Sequence, residues 1–497
     1  MSVNSDMVKI MDTFLFSLGN DLDLAAFLSR IPNIMISLLL GVFIFLYSKR
    51  LNGAWAAIIS LAMFVFSPSF LAHSPLVTMD VPVSCFYFAT IYFLMRFFET
   101  MQDRYLILTG LSLGLSLIAK FSALVLVPTL YILLAIYAFN SYPRESRLKS
   151  YLFLLPLLPL ACSYKASFKF MAAPLFSFLF LKIFVKNGIV PSRIRYACAV
   201  LLIILTIAFT LVILDYTDFK WFPFHGATKA YFKGFSSFEG HSTGGQGRSY
   251  LLGHYYYDTG KWYYFPLAMV FKEPTVFFFL LTFGLTGMFI KRGHAMEKLL
   301  LLVPALAYLF MAMFVNKVNI GIRHILPLYP FLYVIVGYGV VVARKFKRTG
   351  YLLGTFIMLL IADTVLAYPS HISYFNRLVE CSGGGHRFLG DSNIAWGQDW
   401  KRLKKYIDKN GLNTVKIQAT FTCATNCKYY NIPYEILSDQ EKVCPERGYY
   451  IIEKTALVSR EIKWADKIRP SARIGGSLLM YKITEKGAAR YKEQLIQ

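Results

Sequence analysis

Ionisable residues interrupt the apolar stretches of this 497-residue chain at a few places where they could do chemistry. His73 and Asp80 lie in a short, proline-broken segment, 67–82, between two apolar runs. Lys120 stands alone between two further apolar runs. A charged side chain at membrane depth costs several kcal/mol unless it faces a partner or a cavity, so such residues mark function by default. A carboxylate in this setting can accept a proton, and an ammonium group can hold an anion.

Two later segments add further candidates. Lys317, Arg323 and His324 lie close together just before another apolar run. Two cations and a histidine could clamp a phosphate, because an arginine supplies planar, bidentate donors. Tyr263 and Tyr264 belong to an aromatic segment that could line a substrate site.

Each of these groups also has a purely structural interpretation, and the sequence leaves both open. Asp80 stands directly before Val81 and Pro82, which is a good signal for a helix N-terminus, so Asp80 could be a capping residue. Lys120 could snorkel to the membrane surface. The aromatic residues around Tyr263 could form an interfacial belt.

The elements that must position these residues are membrane-spanning helices. Hydrophobic residues make up 56% of the chain and charged residues 16%, whereas a soluble protein carries about a quarter charged residues. This composition excludes a soluble globular protein, a coiled coil, collagen and a disordered chain. Since roughly 20 apolar residues cross a bilayer, the sequence predicts about twelve spans. They lie near 33–48, 53–70, 82–96, 105–119, 121–139, 151–164, 168–185, 197–214, 265–290, 298–315, 325–343 and 350–367.

The basic residues predict the orientation of these spans. Lysine and arginine accumulate in cytoplasmic loops, and here they cluster in alternate connections. This pattern places Asp80, Lys120 and Arg323 on the outer face. The net charge of +24 therefore reflects membrane topology rather than a nucleic-acid partner. The basic connections contain Lys49 and Arg50; Arg96 and Arg104; Arg144, Arg147 and Lys149; Lys186, Arg193 and Arg195; Lys291 and Arg292; and Arg344, Lys345, Lys347 and Arg348.

The tail after residue 367 differs from the rest of the chain. It is polar, with apolar residues at helical spacing over 399–407 and alternation typical of strands at 415–421, 449–452 and 478–483. The fold class is therefore an all-α polytopic membrane protein with a small C-terminal extracytoplasmic α/β domain. The predicted regions are 1–30, an outer-loop remnant; 31–214, an N-terminal transmembrane region; 215–264, an outer loop; 265–367, a C-terminal transmembrane region; and 368–497, the soluble domain.

The cysteines fit a tail outside the cell. Cys381, Cys423, Cys427 and Cys444 all belong to it. On an oxidising face they favour at least one disulfide, with free thiols and a zinc site as the alternatives. The sequence has no Walker loop and no glycine-rich dinucleotide fingerprint. It therefore indicates no cofactor and disfavours ATP or a soluble nucleotide sugar as direct substrate. The predicted site contains no metal ligand, and dependence on a divalent metal is left open.

Taken in order, several segments resemble the membrane-embedded, lipid-carrier-dependent glycosyltransferases of the GT-C class. That class includes the protein O-mannosyltransferases and the bacterial aminoarabinose transferase that acts on lipid A. The resemblance runs over roughly 15–410. The segments that carry it are 67–96, 118–121, 262–266, 319–330, 368–376, 391–393 and 396–399.

The resemblance implies an inverting transfer of a sugar from a polyprenyl phosphate to an acceptor hydroxyl, in a bacterial-type inner membrane with the active face outside. The implied partners are the lipid-linked sugar, membrane lipid, and a protein or lipid-glycan acceptor that the sequence does not identify. We expect Asp80, Lys120 and Arg323 to line one cavity, open to the outer face and sideways to lipid. In the implied site Asp80 is catalytic; Lys120, Lys317, Arg323 and His324 bind the donor phosphate; and His73, Tyr263 and Tyr264 line the substrate.

One departure from the family pattern concerns the start of the chain. The family begins with an extra helix and an outer loop that bears an acidic residue, and 1–30 resembles only the end of that loop. Three alternatives remain: the sequence starts downstream of the true start, this protein works differently, or it is inactive as given. The alternative function is a transporter or flippase of a lipid-linked substrate, which would show a repeat and a site at the bilayer midplane.

Reporter fusions test the predicted orientation. Reporters placed after Pro369 and after Gln497 should be active outside the cytoplasm and silent within it, because twelve spans return the chain to the side where it began. The reverse pattern would overturn both the topology and the proposed active face.

Overall fold

A computed structural model describes residues 13–140, 200, 203–208, 210, 248–257, 259–419, 423–458 and 461–496. The predicted spans 151–164 and 168–185 lie outside the described residues, as do most of the span 197–214 and most of the loop 215–264.

The first part of the bundle is built from helices whose ends follow local signals. The Asp21 side chain accepts a hydrogen bond from the Leu24 N–H at 3.0 Å at the first helix start. Gly53, with φ of 87°, separates that helix from the next. A 3₁₀ turn, Phe121–Val125, precedes the last of these helices. The helices are α1 Leu22–Asn52, α2 Ala54–Val65, α3 Pro68–His73, α4 Asp80–Thr100, α5 Asp103–Ala119 and α6 Leu126–Asn140.

The second part of the bundle contains α7 Tyr264–Lys272, α8 Thr275–Ile290, α9 Ala295–Phe310, α10 Tyr329–Gly337, α11 Gly339–Lys345 and α12 Lys347–Leu366. A π-helical turn, Met311–Val315, extends α9, and a 3₁₀ helix, Ile322–Leu328, leads into α10. Among the described residues, five helical segments are long and apolar enough to cross a membrane, or six if α7 and α8 form one broken span. The total of twelve stays a prediction.

The chain breaks two stretches that the sequence predicts as single spans. The stretch 265–290 is bent by 109° between α7 and α8. Glu273 adopts an extended conformation there because Pro274 disfavours a helical residue before it. The stretch 53–70 ends as a helix at Val65 and resumes as the separate α3. The helix is therefore interrupted within both predicted spans, and α7 and α8 still qualify together as one broken span.

Several of the interhelical connections that carry lysine and arginine meet at one end of the bundle. Lys291, after α8, donates a hydrogen bond to the Leu51 carbonyl at 2.6 Å. Arg50 at the end of α1 and Arg96 near the end of α4 both pair with Glu99, at 3.1 and 2.8 Å. Because α4 is about 30 Å long, its first residue, Asp80, lies at the opposite end. The arrangement agrees with basic residues gathered on one side, and which side faces the cytoplasm stays a prediction.

Helix α8 approaches the α10–α11 segment unusually closely. A Cβ atom at Gly284 would lie 2.3 Å from the Ile335 carbonyl oxygen, and one at Gly287 would lie 2.1 Å from the Tyr338 carbonyl oxygen. Small residues let helix backbones touch where no hydrophobic driving force acts between helices in lipid. These two glycines therefore set the spacing of the second part of the bundle.

The tail forms a five-stranded sheet of β3 Val415–Gln418, β4 Tyr434–Ile436, β5 Gly448–Glu453, β6 Ala472–Ile474 and β7 Leu478–Ile483. The strand order is β4-β3-β5-β7-β6. Strand β3 pairs in parallel with β4 and β5, whereas β7 pairs antiparallel with β5 and β6. A separate hairpin, β1 Arg248–Leu251 and β2 His254–Tyr257, precedes α7. The tail helices are α13 Arg377–Cys381, α14 Trp400–Asn410, α15 Cys423–Tyr429, α16 Asp439–Val443, α17 Lys454–Val458 and α18 Glu485–Ile496.

The tail cysteines are thiols, so the expected disulfide is absent from the structure. Cys423 and Cys427 lie one turn apart on α15, and their Sγ atoms are 3.9 Å apart, well beyond the roughly 2.05 Å of an S–S bond. Cys381 is exposed at the end of α13, and Cys444 follows α16. Cys381 and Cys444 thus lie on local elements other than α15, which carries the remaining two tail cysteines.

Two identical glycine substitutions test the close helix contact. Gly287→Ala should lower the free energy of unfolding by about 1–3 kcal/mol, because the new methyl group collides with backbone that cannot rotate away. Gly354→Ala on α12 is the matched control, since nothing lies within 4 Å of its Cβ position. Thermal unfolding in detergent measures both, and equal melting temperatures would contradict the close approach.

Candidate functional site

Asp80 is the first residue of α4, and only 2% of its surface is exposed. Its Oδ1 atom accepts a hydrogen bond from Lys120 Nζ at 2.6 Å, and its Oδ2 atom accepts one from Arg323 Nη1 at 3.2 Å. Met79 is the residue that caps α4, without a side-chain bond to the helix. The helix-cap interpretation of Asp80 is therefore wrong: both carboxylate oxygens bind cations.

Breaks in the helices bring the two cations to Asp80. Lys120 has extended backbone angles at the end of α5, which turns the chain into the 3₁₀ turn before α6. Arg323 belongs to the 3₁₀ helix before α10. Each cation keeps only 19% of its side-chain surface exposed. Lys120 is thus an ion-pair partner inside the bundle rather than a snorkelling lysine.

Two histidines accompany this triad of Asp80, Lys120 and Arg323. His73 at the end of α3 is 2% exposed, and both it and His324 are close enough to interact with the Asp80 charge. Three buried nitrogen atoms around the triad have no hydrogen-bond partner among the described residues: Nδ1 of His73, Nε2 of His324 and Nε of Arg323. Since buried polar groups are normally paired, this donor-rich setting suits a polar or anionic ligand.

The tail supplies one aromatic residue to the same place. The Arg323 guanidinium lies over the Trp396 ring at 4.8 Å from its centroid. A cation over an indole face is held in a fixed plane, so Trp396 orients the group that contacts Asp80. The sequence did not assign Trp396 to the site, although it lies in a segment that carries the family resemblance.

Backbone contacts fasten the loop of Arg323 to the tail. Ser392 Oγ donates to the Ile320 carbonyl at 2.7 Å, and Asn393 Oδ1 accepts from the Ile322 N–H at 3.0 Å. A Cβ atom at Gly321 would lie 2.2 Å from Ser392 Oγ, so only glycine allows this approach. The position of Arg323 therefore depends on the tail as well as on the membrane helices.

Of the remaining candidates, two tyrosines lie in different settings. Tyr264 is buried and accepts a hydrogen bond from Asn393 Nδ2 at 3.0 Å, so it supports the docking of the tail. Tyr263 is half-buried and packs edge-on against the exposed Trp262. Lys317 is exposed, and within the described residues its ammonium group is not an ion-pair partner of Asp80. The structure brings Asp80, Lys120, Arg323, His73 and His324 together and leaves Lys317 outside this cluster.

Sequence reasoning did not assign Lys272 and Glu273 to the site, although both are fully buried beside it. Lys272 Nζ donates to the Ile372 carbonyl at 2.8 Å and to the Asn393 carbonyl at 2.7 Å. Glu273 accepts a hydrogen bond from Ser69 Oγ at 2.6 Å, at the start of α3. The sequence signal for these residues was a pair of adjacent opposite charges, directly before Pro274, within an apolar stretch. These two residues tie the bend between α7 and α8 to the tail and to α3.

The comparisons with known proteins agree with the chemistry of this site. Residues 10–136 match a family model described as dolichyl-phosphate-mannose-protein mannosyltransferase. The matched region contains Asp80 and Lys120 and confirms the resemblance to the lipid-carrier-dependent glycosyltransferases. No curated protein matches the sequence significantly.

Solved structures of similar proteins include ArnT from Cupriavidus metallidurans. Its apo form is 12% identical with a TM-score of 0.41, over 95% of this chain and 86% of that chain. Its form bound to undecaprenyl phosphate is 11% identical with a TM-score of 0.41, over the same shares. The archaeal oligosaccharyltransferase AglB from Archaeoglobus fulgidus, in complex with an inhibitory peptide and a dolichol phosphate, is 14% identical with a TM-score of 0.40, over 93% of this chain and 64% of that chain.

An alanine substitution at Asn393 tests the coupling between tail and membrane helices. Asn393→Ala should destabilise the protein by about 1–3 kcal/mol, because it leaves the buried Ile322 N–H and the Tyr264 hydroxyl unpaired. Asn410→Ala is the control, since Asn410 is exposed and bonds only within α14. Limited proteolysis of the tail and thermal unfolding measure the effect, and identical behaviour of the two variants would argue against this coupling.

Proposed function

We propose that this protein transfers a sugar from a polyprenyl phosphate to an acceptor hydroxyl at the outer face of a bacterial-type inner membrane. The observation that carries the proposal is the triad, in which Lys120 and Arg323 reach one buried carboxylate from separate segments. The family match over residues 10–136 supports the same class of donor.

The two cations are the proposed binding groups for the donor phosphate. Before the donor arrives, the two cations pair with the Asp80 carboxylate. This pairing offsets the free-energy cost of burying charged groups in a low-dielectric environment. A phosphate carries more charge and more acceptor oxygens than one carboxylate, and an arginine fork binds it in a bidentate manner. Donor binding therefore draws Lys120 and Arg323 toward the phosphate and releases the Asp80 carboxylate.

The released carboxylate then has the chemistry of a general base. The acceptor oxygen forms a bond to the anomeric carbon while the bond from that carbon to the phosphate oxygen breaks, with inversion at the carbon. The acceptor proton passes to Asp80. The negative charge that develops on the leaving lipid phosphate is stabilised by the preorganised cations.

The surrounding residues have secondary roles in this proposal. His324 and Lys317 add donors for the phosphate, Lys317 from the exposed rim. His73 and Tyr263 line the sugar and acceptor. The sugar could be mannose or another hexose or pentose, and the acceptor a protein or a lipid-linked glycan.

Arg323→Lys tests the phosphate site without relying on turnover. It keeps the charge but loses the planar fork, so affinity for undecaprenyl phosphate should fall about tenfold, which is roughly 1.4 kcal/mol. Arg377→Lys is the matched control, because Arg377 pairs with Asp363 at 3.0 Å but is 67% exposed. Native mass spectrometry of the lipid complex measures both. Equal affinity of the Arg323→Lys variant and the parent would remove Arg323 from the donor site.

Asp80→Asn tests the base. It should lower kcat for sugar transfer by about 10²–10⁴-fold while the donor still binds, because the amide cannot accept the acceptor proton. Asp363→Asn, which disturbs the Arg377 pair instead, should leave kcat unchanged. Thermal unfolding of both variants separates loss of the base from loss of folding. A folded Asp80→Asn variant that transfers sugar at the parent rate would leave Asp80 with an electrostatic role only.

A further inference from the structure

A polar pocket lies within the tail, apart from the triad. It is a cavity of about 390 Å³ between the segment that follows α13 and the outer edge of the sheet. All of its lining residues belong to the range 380–481, and none comes from the apolar spans. A ligand seated there touches polar protein groups rather than helices that face lipid.

Positive charge dominates this pocket. Its basic lining residues are Arg387, Lys454, Lys467, Arg469 and Arg473, against the two acidic residues Glu380 and Asp466. In the part of the chain that the structure describes, the ion pairs of the tail lie elsewhere, as at Arg402–Asp399 and Arg447–Glu485. Unneutralised cations gathered around one cavity attract an anion.

Three of the basic residues lie on or against ordered backbone. A Cβ atom at Gly383 would lie 2.8 Å from Arg387 Nη1, so the guanidinium packs directly on the glycine backbone. Lys454 begins α17, and Arg473 lies on β6, so rigid elements carry both. Groups positioned by packed backbone lose little conformational freedom when a ligand binds.

His386 adds a donor between these cations. Its Nδ1 atom is buried and has no hydrogen-bond partner among the described residues. Burial first, and then the charges of Lys454, Arg387 and Arg473, lower the pKa of His386 to about 4. The histidine is therefore neutral at physiological pH and surrounded by positive potential, and a bound anion would supply the missing partner.

We infer that this pocket binds the phosphoryl group of a phosphorylated sugar or of a phosphorylated head group. Arg387 and Arg473 provide forked donors, Lys454 a point charge, and His386 Nδ1 an additional hydrogen bond. The volume exceeds that of a phosphate and leaves room for an attached sugar ring. This site does not rest on the proposed transferase function, because it shares no residue with the triad.

Calorimetry on the full-length chain in phosphatidylcholine nanodiscs tests this site. Glucose 6-phosphate should bind and glucose should not. Lys454→Gln and Arg473→Gln should each weaken glucose 6-phosphate binding at least tenfold. Lys482→Gln is the matched control, because Lys482 lies on β7 next to the pocket but outside its lining. Unchanged thermal unfolding of the variants shows that they fold.

A second measurement separates the two sources of the phosphoryl group. Acylation of Lys454 by an amine-reactive reagent is followed by mass spectrometry, with glucose 6-phosphate or with phosphatidic acid in the nanodisc. Protection by the soluble sugar phosphate indicates a soluble ligand, and protection by phosphatidic acid alone indicates a head group. Protection by neither, or glucose 6-phosphate binding that Lys454→Gln and Arg473→Gln leave unchanged, would overturn the assignment.

Discussion

The charge balance around Asp80 is the interaction on which the arrangement of this molecule depends. A carboxylate that is 2% exposed cannot remain charged in the bundle without partners, and two cations from distant parts of the chain supply them. The same contact holds together the start of α4, the break after α5 and the 3₁₀ helix before α10. Losing one partner of such a buried group typically costs about 3–5 kcal/mol. The helix breaks at Lys120 and before Arg323 are thus compensated by the ion pairs that they make possible.

The tail contributes contacts that hold this arrangement in place. Trp396 covers the guanidinium of Arg323, and Asn393 bonds both to the backbone of the Arg323 loop and to Tyr264. Lys272 reaches from the bend between α7 and α8 to two tail carbonyls. A buried lysine is expensive unless its donors are satisfied, so these bonds make the tail and the bundle depend on each other. A change in the tail is expected to reach the membrane site through Arg323.

The two proposed anion sites differ in their electrostatics before a ligand binds. At the triad both cations already pair with the Asp80 carboxylate, so a ligand must compete with Asp80 for them. This competition makes binding selective for strongly charged, multidentate groups. In the tail pocket the basic residues outnumber the acidic ones, and none of these basic residues forms an ion pair among the described residues. That pocket can take an anion without first breaking an ion pair. One place is suited to coupling binding with chemistry, the other to retention of a ligand.

Composition and spacing by themselves determined that this is a multi-span membrane protein. They also identified Asp80, Lys120 and Arg323 as site candidates, because an ionisable residue within an apolar stretch is recognisable whatever the fold. The strand that begins at Val415 was also predictable from the sequence, since alternation is local. Contacts between segments far apart in the chain could not be predicted from the sequence. The stacking of Trp396 on Arg323 and the two ion pairs of Asp80 depend on which segments meet. Only the tertiary structure decided that Asp80 is an ion-pair partner rather than a helix cap. Its partner Arg323 lies 243 positions away in the chain, and local sequence spacing carries no information about such a distant contact.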